Sequence, residues 1–88
     1  MSDLKTKFEA AVAMSKTLTK KPSNDMLLKL YAFYKQATDG DVSGERPGFM
    51  DFVGGAKYDA WAKIKGTAAD EAMTQYTKLV ERLKRDEG

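Results

Sequence analysis

One stretch of the chain, residues 24–39, constrains the fold most because its apolar and aromatic residues cover a wide arc of a helix. At 3.6 residues per turn, one face of this helix carries Leu27, Leu30, Tyr31, Tyr34 and Thr38. The arc is widened by Met26, Phe33 and Ala37. Such a surface has to be covered on two sides, either by two packed neighbours or by one neighbour and a ligand.

A lysine accompanies this surface. Lys35 lies four residues after Tyr31, so that the two side chains share one ridge of the helix, and it directly follows Tyr34. Two phenols and an ammonium group at the mouth of an apolar groove suit a ligand with a fatty end and an anionic end. This stretch is therefore a candidate ligand surface.

Helical spacing predicts another helix before this one. It runs from about residue 3 to residue 18, with its inward positions at Leu4, Phe8, Ala11, Val12 and Ser15. Pro22 breaks it, because proline disfavours a helical residue before it, and Ser23 is placed to cap the second helix over residues 24–39. Gly40 is expected to end the second helix in the left-handed conformation.

Two more helices are predicted further along the chain. Asp51 is placed to cap a third helix over residues 54–65, which Gly66 closes, and Trp61 is assigned to its core-facing side. Thr67, with Asp70 three residues on, resembles a capping box that starts a fourth helix. The fourth helix has the cleanest 3.6-residue period, at Ala69, Ala72, Met73, Tyr76, Leu79, Val80 and Leu83. Its tail, residues 84–88, is expected to fray.

The connection over residues 41–53 is long for so small a protein. We interpret it as an ordered loop, pinned to the core by Phe49, Phe52 and Val53 and stiffened by the turn at residues 46–48. The prediction is a small all-α four-helix bundle with a long ordered loop between helices 2 and 3. Eighty-eight residues allow one core, so we expect a single domain over residues 1–88.

Composition excludes several classes of protein. The chain has no cysteine and no histidine, which removes thiol chemistry and the usual acid–base group at neutral pH. Fifteen Lys plus Arg against 13 Asp plus Glu indicate a mixed surface rather than a nucleic-acid binder. No apolar run approaches the roughly 20 residues that span a bilayer, and the amino terminus has no apolar segment. We expect a cytoplasmic monomer without stable membrane association.

Motifs for metal binding and catalysis are incomplete. Residues 39–44 match the opening of a calcium loop, but the twelfth position is Met50 and the bidentate glutamate is missing, so no metal site is expected. The adjacent carboxylates of Asp70 and Glu71 point to different sides of a helix. Gly54 and Gly55 lack the lysine and strand of a phosphate loop. An enzyme has no residue here to carry its chemistry.

The residues alone leave the candidate binding side chains open. From periodicity alone, Tyr31 and Tyr34 fit core aromatics with a hydrated hydroxyl more readily than ligand contacts, and Tyr76 fits the core because it lies in the middle of the apolar stripe of the fourth helix. Taken singly, three lysines fit ordinary solvated side chains: Lys16, Lys35 and Lys57.

Read together, four runs resemble the acyl-CoA-binding protein family. They are Tyr31-x-x-Tyr34-Lys35-Gln36-Ala37-Thr38-x-Gly40-Asp41, Arg46-Pro47-Gly48-x-x-Asp51-Phe52, Ala56-Lys57-x-Asp59-Ala60-Trp61 and Lys65-Gly66. The resemblance covers nearly the whole chain, since Phe8, the break at residues 21–23 and the run Ala72-Met73-x-x-Tyr76 also have equivalents.

The resemblance implies a four-helix bundle that binds medium- to long-chain fatty acyl-CoA esters and transports or buffers them without catalysis or a cofactor. It implies that the nucleotide's 3′-phosphate is held by Tyr31, Lys35 and Lys57. It places Tyr34 and Tyr76 at the adenine and neighbouring head-group atoms, and Lys16 beside the head group. The positions that it places near the acyl chain are Phe8, Met26 and Leu27.

Three positions depart from the family pattern. Gly55 stands where many members carry lysine, Tyr58 where tryptophan is common, and Val53 where a polar residue is usual. Gly55, Val53 and the divergent first helix motivate an alternative from another class, a helical protein-interaction or regulatory module that has lost the ligand. An enzyme acting on the thioester is a third alternative.

Overall fold

The computed structural model describes residues 3–87, which form four helices: α1 (Asp3–Ser15), α2 (Asn24–Thr38), α3 (Phe52–Lys63) and α4 (Ala69–Glu87). The all-α four-helix prediction is confirmed. The predicted α1 extends three residues beyond its observed end at Ser15. The N–H groups of Lys16 and Thr17 donate to carbonyls only three residues back, and these tighter turns end the α-helix. α3 starts and ends two residues earlier than predicted.

Most of the predicted helix boundaries follow from local hydrogen bonds. Ser23 accepts a hydrogen bond from the Met26 N–H at 3.2 Å, and Asp51 accepts one from the Gly54 N–H at 2.8 Å, so both caps are confirmed. Gly40 adopts the predicted left-handed conformation, with a φ of 85°. The capping box at Thr67 is wrong, since α4 begins two residues later and the N–H at position 72 donates to the carbonyl at position 68.

The carboxyl-terminal tail does not fray within the described residues, contrary to the prediction. α4 remains helical through Glu87, whose Oε2 accepts hydrogen bonds from the backbone N–H groups of Thr19 and Lys20. The donated hydrogen bond from Lys20, foremost, holds the pKa of the Glu87 carboxyl below its usual value. This contact joins segments distant in sequence, so periodicity could not indicate it. The last residue of the predicted tail, Gly88, lies outside the described residues.

α4 is the helix against which α1 and α2 both pack, while α3 packs on α2. Across residues 3–87 the backbones of α1 and α2 do not approach each other. The buried core that joins these helices consists of Phe8, Ala11, Leu30, Ala37, Ala72, Tyr76 and Val80. This arrangement leaves a gap between α1 and α2 with α4 beneath it.

α2 and α3 run in the same direction. The first turns of both helices line one groove, through Asn24 and Leu27 on α2 and Phe52 and Val53 on α3. Because α2 is 15 residues long, about 22 Å, the chain must travel back along it before α3 can begin. The parallel arrangement explains the long connection over residues 39–51.

The prediction that apolar side chains pin this loop is wrong. Phe49, Phe52 and Val53 are 80%, 77% and 67% exposed, and Met50 is 76% exposed. Instead, polar contacts hold the loop, and some of them are hydrogen bonds to its backbone. The Trp61 indole N–H donates to the Gly40 carbonyl at 2.8 Å.

Two side chains of α3 extend these polar contacts along the loop. The Tyr58 hydroxyl donates to the Gly44 carbonyl at 2.9 Å. Asp59 accepts two hydrogen bonds, each 2.8 Å, from the guanidinium of Arg46. The loop therefore follows α3 while its apolar tip faces solvent.

A buried amide joins the start of this loop to the α3–α4 connection. The Gln36 side chain is 1% exposed and donates from Nε2 to Asp41 Oδ1 and to the Thr67 carbonyl, both at 2.8 Å. The same Asp41 oxygen accepts the Gly66 N–H at 2.8 Å. The hydrogen bond from Gly66, followed by that from Gln36, lowers the pKa of Asp41.

We expect Asp41→Asn to have a lower free energy of unfolding than the wild type at pH 7. As the pH falls, this variant should lose less of that free energy than the wild type does. The native pKa of Asp41 lies below the ordinary 3.8 of an unfolded aspartate, so its contribution is complete above that pH and is lost as the pH falls through the lowered native pKa. Urea unfolding of both proteins between pH 7 and pH 2 measures the effect. Glu9→Gln, exposed on α1, is the control and should follow the wild type. Parallel curves for Asp41→Asn and the wild type would contradict the assignment.

Candidate functional site

The gap between α1 and α2 forms a groove of about 520 Å³ whose walls come from the end of α1, the α1–α2 connection and α2. Tyr76 contributes from α4. The lining residues are Ser15, Leu18, Thr19, Lys20, Lys21, Pro22, Leu27, Leu30, Tyr31, Tyr34 and Tyr76. The groove thus combines apolar walls with three phenols and two lysines.

Three aromatic rings from three helices stack beside this groove. The Phe8 ring lies 5.2 Å from the Tyr76 ring, edge to face, and 6.0 Å from the Tyr34 ring. Phe8 and Tyr76 are buried, whereas Tyr34 is 40% exposed. The Tyr76 hydroxyl lies 3.3 Å from Ser15 Oγ, within hydrogen-bonding distance. Tyr34 is therefore the ring of this cluster that is presented to solvent.

A second groove of about 390 Å³ lies between the first turns of α2 and α3. Its lining residues are Asn24, Leu27, Leu28, Phe52, Val53, Ala56 and Lys57. Leu27 lines both grooves, so the two lie on either side of the same leucine. The exposed Phe52 and Val53 form an apolar wall of this second groove.

The two lysines singled out on α2 and α3 each cross the seam between these helices. Lys57 Nζ lies 5.3 Å from the centroid of the Tyr31 ring, and Lys35 Nζ lies 5.1 Å from the centroid of the Trp61 ring. A cation within about 6 Å of an aromatic face is attracted to it. The seam therefore carries two ammonium groups beside the phenol of Tyr31, which also lines the α1–α2 groove.

Lys35 has a second partner. Its ammonium forms an ion pair with the carboxylate of Asp39, one helical turn later. The hydrogen bond from this ammonium to Asp39 raises the pKa of Lys35, although partial burial acts in the opposite direction. Lys35 is therefore a cation throughout the physiological pH range.

At Gly55, a buried position, a Cβ would lie 2.9 Å from the Arg46 Nη2 atom, which is the far end of a flexible side chain that can move aside, so the space alone does not require glycine. Asp59 neutralises that guanidinium through its bidentate contact. Tyr58, the second departure, donates its hydroxyl hydrogen to the loop backbone. Tyr58 therefore contributes to the attachment of the loop, and Gly55 adjoins the guanidinium of Arg46.

The structure brings together six of the nine residues predicted for the site. Those at the two grooves or their seam are Leu27, Tyr31, Tyr34, Lys35, Lys57 and Tyr76. Phe8 packs beneath them without lining either groove, and Met26 is half-buried and also lines neither. Lys16 follows the lining residue Ser15, but its own exposed side chain is not part of the groove.

Sequence reasoning missed several lining residues. Lys20 and Lys21, beside the helix break at Pro22, are not among the predicted site residues, and Phe52 and Val53 are predicted to pin the loop to the core. Two neighbouring lysines before Pro22 are a signal that could have pointed to the groove. Leu28 directly follows Leu27 and could have been included by helical position.

A third groove, of about 600 Å³, contains none of the predicted residues. It lies between α2, α3 and α4, with Leu28, Phe33 and Leu79 among its apolar residues and Lys29 and Lys63 among its charged ones. No tyrosine lines it. The predicted residues that line a groove thus belong to the two grooves on either side of Leu27, each of which is smaller than this third one.

These features define a small all-α protein with an apolar groove bordered by phenols and cations, a class suited to an amphiphilic anionic ligand. No helix within residues 3–87 is long and apolar enough to cross a membrane. The family model described as "Acyl CoA binding protein" matches residues 5–80. The chain therefore belongs to the acyl-CoA-binding protein family.

Individual relatives agree with this assignment. The chain is 51% identical to Acyl-CoA-binding protein homolog 1 of Caenorhabditis elegans, over 86% of this chain and 88% of that protein. It is 47% identical to the Acyl-CoA-binding protein of Dictyostelium discoideum, over 89% and 93%. Among solved structures, Acyl-CoA-Binding Protein 2 of Oryza sativa superposes with a TM-score of 0.91 at 38% identity, covering 96% of this chain and 93% of that one.

Proposed function

We propose that this protein binds medium- to long-chain fatty acyl-CoA esters and carries or buffers them without chemical change. The observation that carries the proposal is the pair of ammonium groups at the α2–α3 seam, Lys35 over Trp61 and Lys57 over Tyr31, beside the grooves. Cations drawn from two helices and apolar walls together match a ligand that has a phosphorylated head and a hydrocarbon tail.

The head group of the ligand is proposed to bind at this seam. Tyr31, Lys35 and Lys57 are assigned to the 3′-phosphate, because a hydroxyl and two ammonium groups donate hydrogen bonds to its oxygens. Tyr34 is assigned to the adenine, and its exposed ring supports that role. Tyr76 is assigned to neighbouring head-group atoms at the groove floor. Lys16 is proposed to act through its charge beside the head group.

The acyl chain is proposed to follow the apolar surface around Leu27. The resemblance assigns Phe8, Met26 and Leu27 to this region, and Leu27 receives the most support because it lines both grooves. We add Leu28, Phe52 and Val53, which line the α2–α3 groove. An acyl chain lying there would cover apolar side chains that are otherwise in contact with water.

The protein is proposed to act as a cytoplasmic monomer and not as an enzyme. A thioester hydrolase needs a nucleophile next to a general base, and the chain has neither cysteine nor histidine. We assign no cofactor, metal, nucleic acid or stable membrane contact to it. The alternative of a module without ligand binding, which Gly55, Val53 and the divergent first helix motivated, is not favoured, since both lysines remain at the seam and Val53 lines the α2–α3 groove.

We expect Lys57→Ala to weaken binding of palmitoyl-CoA about 10- to 150-fold, because a hydrogen bond to a charged group contributes about 1.5–3 kcal/mol. Isothermal titration calorimetry measures the affinity, and a thiol reagent added to the titrated sample should detect no released CoA. Helical circular dichroism should be unchanged, since Lys57 is exposed.

The matched control is Lys78→Ala, an exposed lysine on α4 that makes the same change in net charge. It should bind palmitoyl-CoA as the wild type does. Absence of heat with the wild type at micromolar concentration would refute the proposed function. Equal weakening by both variants would show that net charge alone governs the affinity.

Affinity should increase with acyl length until the grooves are filled. Each fully buried methylene contributes roughly 0.8 kcal/mol, an upper limit of about fourfold per methylene in a partly open groove. Calorimetry with saturated acyl-CoA esters of 8 to 18 carbons, a series on the order of ten methylenes, tests this dependence. Leu27→Ala should flatten the dependence on length, whereas Lys57→Ala should lower all affinities together. An affinity independent of chain length would exclude these grooves as the acyl site.

A further inference from the structure

The two lysines assigned to the phosphate differ in their surroundings. Lys35 is paired with Asp39, and the two side chains are 26% and 50% exposed. Lys57 has the Tyr31 ring as its neighbour, and no carboxylate of residues 3–87 forms an ion pair with it. One of the two cations is thus already bound to an anion of the protein.

Asp39 occupies a position that helix electrostatics disfavours. It is the C-cap of α2, with φ −104° and ψ −14°, and its N–H donates to the Lys35 carbonyl. A carboxylate at the carboxyl-terminal end of a helix opposes the helix dipole. Lys35 offsets this cost through the ion pair, so the local gain in helix stability is small. Residues that contradict a local rule are concentrated at functional sites.

We propose that Asp39 is an affinity-setting residue, which competes with the ligand's phosphate for the Lys35 ammonium and weakens retention of the head group. This inference rests on the proposed function, which brings a phosphate to Lys35. The competing carboxylate of Asp39 is attached to the same helix as Lys35. Its concentration near the ammonium is therefore fixed, whereas that of the ligand varies. Asp39 therefore limits affinity at every ligand concentration.

The phosphate can reach Lys35 in two ways, and Asp39 weakens its binding in both. An ammonium group has three N–H donors and can hold the carboxylate and a phosphate oxygen together, but the two anions then lie within about 6 Å and repel each other. Alternatively, the carboxylate turns toward solvent, and its contact with Lys35 is lost. In both cases a neutral side chain at position 39 favours the bound state.

We expect Asp39→Asn to bind palmitoyl-CoA about three- to tenfold more tightly at low ionic strength, the range for a partly exposed charge next to a phosphate. The discriminating probe is the palmitoyl thioester of 3′-dephospho-CoA, which lacks the phosphate. Asp39→Asn should bind this ester as the wild type does. Calorimetry with both esters gives the comparison, and Asp39→Ser, a second neutral variant, should reproduce the result.

Two controls isolate the effect. Glu81→Gln makes the same change in net charge on α4, where Glu81 lies beside Met14 and Arg85, and it should leave both affinities unchanged. In a Lys35→Ala background, Asp39→Asn should increase affinity less than it does with Lys35 present, because only the repulsion between the carboxylate and the phosphate is then relieved. Circular dichroism establishes that each variant is folded.

The possible outcomes separate this inference from the proposed function. Wild-type protein that binds neither ester overturns both. Wild-type protein that binds palmitoyl-CoA, with Asp39→Asn of equal or weaker affinity, overturns only the inference. Weaker affinity would make Asp39 a residue that orients Lys35. Equal tightening with both esters also overturns it, because the effect would not involve the 3′-phosphate.

Discussion

The indole N–H of Trp61 and the carbonyl of Gly40 form the hydrogen bond on which the arrangement of the site depends. This bond ties the end of α2 to α3 and fixes the buried indole against which the Lys35 ammonium lies. Since α2 and α3 run in the same direction, a thirteen-residue return, residues 39–51, separates them in the chain. The hydrogen bond adds a directional contact to the packing between the two helices. The hydrogen bonds of Gln36 to Asp41 and to the Thr67 carbonyl also hold the start of this return, and they join it to the α3–α4 connection.

The site divides its tasks between two kinds of surface. Charged donors at the α2–α3 seam act over a few ångströms and depend on direction, whereas the leucine-rich walls contribute in proportion to the area that they cover. If the proposed head-group site is correct, the ion pair between Lys35 and Asp39 keeps its polar part below the greatest strength. A carrier has to release what it binds, and a weakened polar contact beside a long apolar one permits release without loss of selectivity for the tail.

The four helices and the caps of α2 and α3 could be predicted from the sequence, because these depend on local spacing, and six of the nine predicted site residues lie at the two grooves or their seam. Ser23, Asp51 and Gly40 each act within a few residues of their own position, and so they could be assigned. The loop could not be predicted in the same way. Phe49 and Phe52 are apolar and were expected to be buried, but the loop is attached through its backbone carbonyls to Trp61 and Tyr58, which leaves both rings exposed. The resemblance to a family, and not periodicity, indicated the ligand.

The contact of Glu87 with Thr19 and Lys20 places one wall of the α1–α2 groove under the control of the far end of α4. That wall belongs to the connection between two helices whose backbones remain apart, and Lys84 also donates hydrogen bonds to Thr17 just before it. The position of this wall is consequently coupled to the last turns of α4, although these lie far from the groove in the sequence.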